Sequence, residues 1–176
     1  YTRYQGATAI TPNRSEAEKA TGIRIDEEDP IGGATNLAIN LCESLQVHAA
    51  ILTIDKHGAV LQERGSSPVH VPTRARSVYD VTGAGDMVLA AIAIGRGGGL
   101  SWPQCVELAN VAAGLEVEVF GATPIPMAQV LQEILQMQSG QLGKTRSLEQ
   151  LAIEVAAAKE SGKRIVLTNG CFDVIH

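Results

Sequence analysis

Residues 80–86, Asp-Val-Thr-Gly-Ala-Gly-Asp, restrict the folds open to this chain more than any other stretch. A hydrophobic-to-glycine turn runs into an aspartate, and the apolar run MVLAAIAIGR follows at once. Such a turn at the head of an apolar helix belongs to a layered α/β domain, where helices pack on a sheet. Glycine lets the backbone approach an anion closely, and the helix start supplies N–H groups and the positive end of a dipole. A transferring phosphoryl group develops charge that such donors stabilise. A carboxylate at Asp86 would stand close enough to take a proton from an acceptor hydroxyl, and Asp80 could organise the turn or a cation. Spacing alone leaves a plainer reading open, in which the aspartate only caps a helix. The Gly-Lys-Ser/Thr ending of a Walker A loop is absent.

Composition agrees with an α/β protein and excludes several classes of function. There are 18 glycines, and 45% of residues are hydrophobic, enough for a core. Aromatic residues make up only 3%, which leaves little for stacking on nucleic acid. Lys and Arg number 14 against 19 Asp and Glu, for a net charge of -5. That balance argues against a nucleic-acid or anionic-membrane surface. Cys42, Cys105 and Cys171 are an odd count without a close pair, so neither a disulfide framework nor a cysteine metal site is expected. No apolar run reaches membrane-spanning length, and the first residues lack the pattern of a signal peptide. A cytoplasmic location is the expectation. A start at Tyr1 instead of Met reads as a piece of something longer.

Along the chain, residues 7–11 read as a short strand, and Asn13 or Ser15 as the cap of a helix. Residues 22–30 read as a loop, 34–45 as an amphipathic helix and 48–53 as a buried strand. A turn at 55–58 and a strand at 59–62 make a hairpin-like pair, with an edge strand at 68–72. Two apolar helices follow the glycine turn, the second capped by Ser101 with Pro103 in its first turn. A further helix is expected over 127–137, a polar linker over 138–145 and a helix capped by Ser147 that places Leu148, Leu151, Val155 and Ala158 on one side. Residues 164–168 (RIVLT) read as a new buried strand. Too few parallel strands precede residue 138 for a complete doubly wound sheet. The expected organisation is therefore part of one domain over 1–138, a linker and helix over 139–162, and the start of a second domain over 163–176.

The motif at 80–86 resembles the C-terminal signature of the ribokinase-like carbohydrate kinases. The resemblance implies that Gly83, Ala84 and Gly85 form the anion hole, that Asp86 is the catalytic base, and that Asp80 and Thr82 line a nearby cation or nucleotide region. It further matches Asn13 and Glu16 to an Asn-x-x-Glu motif that orients Mg²⁺ through water, although the same pair also forms a plain capping box. Thr53 and Gly58 match a strand-end turn beside the ATP ribose and phosphates, with Lys56 between them more simply an exposed turn lysine. Asn110 matches a residue near adenine, with Gly114 and residues 121–123 along the purine wall. His48, His70 and Trp102 read as structural or surface residues, and Cys42 and Cys105 as core or half-buried thiols.

The tail IVLTNGCFDVIH resembles the opening of the cytidylyltransferase-like nucleotidyltransferases. Asn169, Gly170, Cys171 and Phe172, with Asp173, would form a phosphate-binding turn, and His176 the first histidine of an HxGH signature. The implied fold class is the C-terminal half of a ribokinase-like α/β fold, a linker, and the first strand of a Rossmann-like nucleotidyltransferase domain. Together the two resemblances are similar to the bifunctional heptose 7-phosphate kinases and heptose 1-phosphate adenylyltransferases that make ADP-heptose for lipopolysaccharide. They imply ATP and Mg²⁺ as cofactors, a monovalent cation as a further candidate, and a sugar phosphate as substrate. They imply no nucleic-acid or membrane partner, and a homo-oligomeric parent. A single-function sugar kinase and a noncatalytic nucleotide-binding fragment are the alternatives. The 176 residues alone are expected to be inactive.

Overall fold

The apolar run near residue 50 forms a strand whose first four residues are all buried. A computed structural model describes residues 1–73, 82–118, 124–142 and 146–168. The chain divides into two compact units, Tyr1–Ile125 and Pro126–His176.

In the first unit, strands β1 (Ala9–Ile10), β2 (Ala49–Thr53), β3 (Ala59–Glu63) and β4 (Val69–Val71) form one sheet in that order. β1 and β2 are parallel, while β2–β3 and β3–β4 are antiparallel. Helices α1 (Arg14–Thr21) and α2 (Pro30–Ser44) lie between β1 and β2 in the chain. Leu37, Ala38, Leu41 and Cys42 of α2 join Ile10, Ala50, Leu52 and Val60 in one buried cluster. Each fully buried leucine there contributes roughly 1.5–3 kcal/mol. Strand alternation turns Ile51 and Leu61, also buried, to the other face.

Helix α2 begins four residues earlier than the periodicity over 34–45 suggests. Asp29 caps it, its Oδ1 accepting the Gly32 N–H at 2.9 Å, and Pro30 opens the first turn. The two glycines after Pro30 hide this start from a reading by apolar spacing. Helices α3 (Ala84–Gly97) and α4 (Trp102–Glu116) form a tightly packed hairpin. A Cβ on Gly95 would stand 2.9 Å from Cys105 Sγ, so only glycine permits this approach. The Arg96 guanidinium lies 4.4 Å from the centre of the Trp102 ring and donates to the Leu100 carbonyl. Ser101 is the N-cap of α4, and Gln104 Oε1 accepts from both its N–H and its hydroxyl.

Burial pushes the thiols of Cys42 and Cys105 above their ordinary value. The thiolate is the reactive form. Alkylation at mildly alkaline pH should therefore spare both in the native protein and modify both in denaturant. Peptide mass mapping reads the result, and prompt native labelling of either thiol would contradict it.

The second unit contains α5 (Met127–Leu142) and α6 (Leu148–Glu160). α5 runs on through 138–142, within the segment read as a linker. Ser147 caps α6 as expected, its Oγ accepting the Gln150 N–H at 3.2 Å. Of the four residues expected on one side of α6, Leu148 is 83% and Leu151 44% exposed. The buried strand expected over 164–168 is not observed. These residues form no strand, and Val166 and Leu167 are 75% and 90% exposed. A strand exists only where neighbours complete its hydrogen bonds, and among the described residues none pairs with this segment. Among the described residues, no helix is long and apolar enough to cross a membrane.

Candidate active site

The parallel strands β1 and β2 end at the same edge of the sheet, where open α/β sheets commonly bind ligands. The backbone continues the pairing past the strands. Thr53 N–H donates to the Pro12 carbonyl at 3.0 Å, and Asn13 and Thr53 form an isolated parallel bridge. β3 begins and β4 ends at this edge, because each runs antiparallel to the strand before it. Asn13 thus comes together with Thr53 and Gly58, which flank one turn, from two separate parts of the sequence.

Asn13 and Glu16 form a complete capping box. Asn13 Oδ1 accepts the Glu16 N–H, and Glu16 Oε2 accepts the Asn13 N–H, both at 2.9 Å. The box fixes both side chains beside the sheet edge. It engages one Glu16 oxygen and leaves the amide of Asn13 outside that pair of bonds.

Thr53 leads into a strained turn. Asp55 has φ 49° and Gly58 has φ 90°. Ile54 N–H donates to the Gly58 carbonyl at 2.8 Å, and His57 N–H to the Ile54 carbonyl at 2.9 Å. Lys56 is exposed on the outside of this turn. Gly58 presses against the end of β4, where an added Cβ would lie 2.2 Å from the Val71 carbonyl oxygen.

Asn110, half-buried on α4, reaches the same strand end. Its Nδ2 donates to the Val71 carbonyl at 3.0 Å and lies 3.5 Å from that of Pro72. The side chain thus ties α4 to the rim, a contact that an asparagine within a mostly apolar helix hints at but does not specify. Gly114 is buried further along α4. The half-buried His70 of β4 contacts the carbonyl of His57, a contact that no sequence signal marked.

The second group of residues sits at the head of α3. Gly83 is the N-cap with φ 96°, a left-handed conformation that favours glycine. It supplies no side chain to cap the helix, and the first helical bond runs from Met87 N–H to the Gly83 carbonyl at 2.9 Å. The N–H groups of Ala84, Gly85 and Asp86 therefore have no acceptor within the helix. Asp86 is the third residue of the first turn, and its carboxylate is exposed. Thr82 is exposed immediately before the turn. This geometry can hold an anion on backbone amides with a carboxylate beside it. Asp80, residues 121–123, and Asn169, Gly170, Cys171, Phe172, Asp173 and His176 lie outside the described residues.

Among the described residues, no group of three or more His, Cys, Asp or Glu side chains could hold a metal by itself. Mg²⁺ commonly keeps several waters and takes one or two carboxylates together with substrate phosphates. Glu16, fixed at the sheet edge with one oxygen outside the capping bond, fits such an indirect role.

Fold and turn together define an α/β protein with an anion-binding geometry at the head of a helix. The family model for the pfkB family carbohydrate kinase matches residues 2–128, and the chain belongs to that family. Across all 176 residues it is 41% identical to "Bifunctional protein HldE" of Geotalea uraniireducens, covering 35% of that protein. It is 40% identical to the protein of the same name from Gluconacetobacter diazotrophicus, covering 36% of it. The chain thus spans about a third of the length of these curated relatives. Among solved structures, Arabidopsis thaliana ribokinase complexed with ribose and ATP superposes with a TM-score of 0.59 at 29% identity, over 70% of this chain and 39% of that one. The fold is ribokinase-like.

Proposed function

We propose that the chain is the nucleotide-binding side of an ATP-dependent sugar kinase within a larger bifunctional protein. The observation that carries the kinase reading is the Gly83–Ala84–Gly85 turn, which opens α3 with unshared N–H groups and places Asp86 in its first turn. The bifunctional reading rests on the extent of the similarity. The kinase model stops at residue 128, whereas identity with the HldE proteins continues through residue 176. On this reading residues 1–138 belong to the kinase domain, 139–162 are a linker and helix, and 163–176 open a nucleotidyltransferase domain.

The proposed first reaction converts heptose 7-phosphate to heptose 1,7-bisphosphate. Asp86 takes the proton of the anomeric hydroxyl, whose oxygen forms the new bond to the γ-phosphorus of ATP as the bond to ADP breaks. The amides at Gly83, Ala84 and Gly85 bear the charge on the phosphoryl oxygens. Asn13 and Glu16 would hold Mg²⁺ through water, and the ion would neutralise phosphate charge. Thr53 and Gly58 line the ribose and phosphates, Asn110 fixes the rim beside adenine, and Asp80 and Thr82 stand near a monovalent cation. In the second reaction AMP passes from ATP to heptose 1-phosphate with release of pyrophosphate. Asn169, Gly170, Cys171, Phe172 and His176 would contact the ATP phosphates there. The product, ADP-heptose, would serve lipopolysaccharide core synthesis in the cytoplasm, and the full-length protein would be a homo-oligomer.

Phosphorus NMR of the products tests both steps in the full-length protein. The expected first product carries a new phosphate at the anomeric position. His176→Ala should abolish ADP-heptose formation from heptose 1-phosphate and leave the kinase step intact. A phosphate placed elsewhere on the sugar, or loss of both reactions together, would contradict the proposal.

A further inference from the structure

Resting on the kinase reading, we infer that His70 is a positioning residue for the nucleotide, acting through the turn between β2 and β3. His70 Nε2 lies 2.7 Å from the carbonyl oxygen of His57. A carbonyl only accepts, so Nε2 carries the proton and donates. The His57 carbonyl and the Gly58 N–H belong to one planar peptide unit. Holding that carbonyl fixes the direction of the Gly58 N–H, which points the opposite way within the same plane.

The turn needs this restraint. It contains two residues of positive φ, Asp55 at 49° and Gly58 at 90°. Within the turn, the Gly58 N–H donates to the Asp55 carbonyl over a long 3.4 Å. His70 is anchored by the ladder, where it pairs with Val60 beside the Ala59–Val71 pair. The next residues of β4 are held in turn by Asn110 of α4. The last strand thus joins the Gly58 turn to α4, and His70 is the side chain that reaches the turn. Removal of this bond would let the His57–Gly58 peptide rotate beside the nucleotide while the ladder and the sugar-binding machinery stay in place.

The test uses the full-length protein with His70→Phe, which keeps a flat ring and loses the donor, and His70→Gln, which keeps an N–H donor. His70→Phe should raise both the KM for ATP and the Kd from direct ATP titration by about threefold to tenfold, the net worth of one hydrogen bond. The KM for the sugar phosphate should not move, and His70→Gln should recover most of the ATP affinity. An unchanged ATP Kd in His70→Phe overturns the inference. So does a fall in Tm with both KM values rising together and no recovery by Gln, because that marks a purely structural residue. The titration needs no turnover, so a wild type that binds ATP without phosphorylating sugar sinks the kinase reading and still tests His70. A wild type that binds no ATP overturns both.

Discussion

Asp86→Asn in the full-length protein should lower the rate of sugar phosphorylation by about 10²–10⁴-fold, the usual contribution of a positioned general base. ATP affinity should hold, because the amides of Ala84, Gly85 and residue 86 itself still point off the head of α3. The substitution is nearly isosteric and exposed, so the fold should be unaffected. Steady-state ADP release with sugar phosphate, paired with ATP titration, separates the two effects. Near-normal turnover in Asp86→Asn would remove the carboxylate from the proton transfer. Loss of ATP binding along with turnover would instead mean that Asp86 serves the structure of the turn.

The second large effect concerns Gly58. An alanine Cβ there would meet Val71 O at 2.2 Å, Thr73 N at 2.6 Å and Pro72 C at 2.9 Å, all backbone atoms that cannot swing away. The position also has φ 90°, which L-residues rarely adopt. Such backbone strain costs about 1–3 kcal/mol, and overpacking adds a further cost of about 1–3 kcal/mol. Gly65 supplies the control, since it has φ 80° and nothing within 4 Å of an added Cβ. Gly65→Ala should show the strain alone, and Gly58→Ala visibly more. Urea denaturation reads the difference. Equal losses at the two positions would show that β4 does not pack on Gly58 as described.

Local signals in the sequence sufficed where the structure itself is local. The capping boxes at Asn13 and Ser147, the buried strand near residue 50 and the turn at Gly83 all depend on residues within a few positions of one another. The start of α2 escaped notice because its evidence is a cap, Asp29 with Pro30, and not apolar spacing. Residues 164–168 show the converse. An apolar β-rich run signals a capacity to pair, and pairing requires partners that the run does not contain. Candidate site residues could be named from the sequence, but their arrangement could not be read from it. Asn110 bonds across 39 positions to Val71, and His70 reaches back 13 to His57. Such contacts are set by how β4 lies between the turn and α4, which no short window of sequence encodes.

The central claim is phosphoryl transfer from ATP to a sugar phosphate at the head of α3. Its most direct test is ADP release by the purified full-length protein, measured with ATP and Mg²⁺ in the presence and absence of heptose 7-phosphate. A strong stimulation by the sugar, lost in Asp86→Asn, is the predicted result. ATP binding with no sugar-dependent release of ADP would contradict the claim and leave a nucleotide-binding protein without kinase activity.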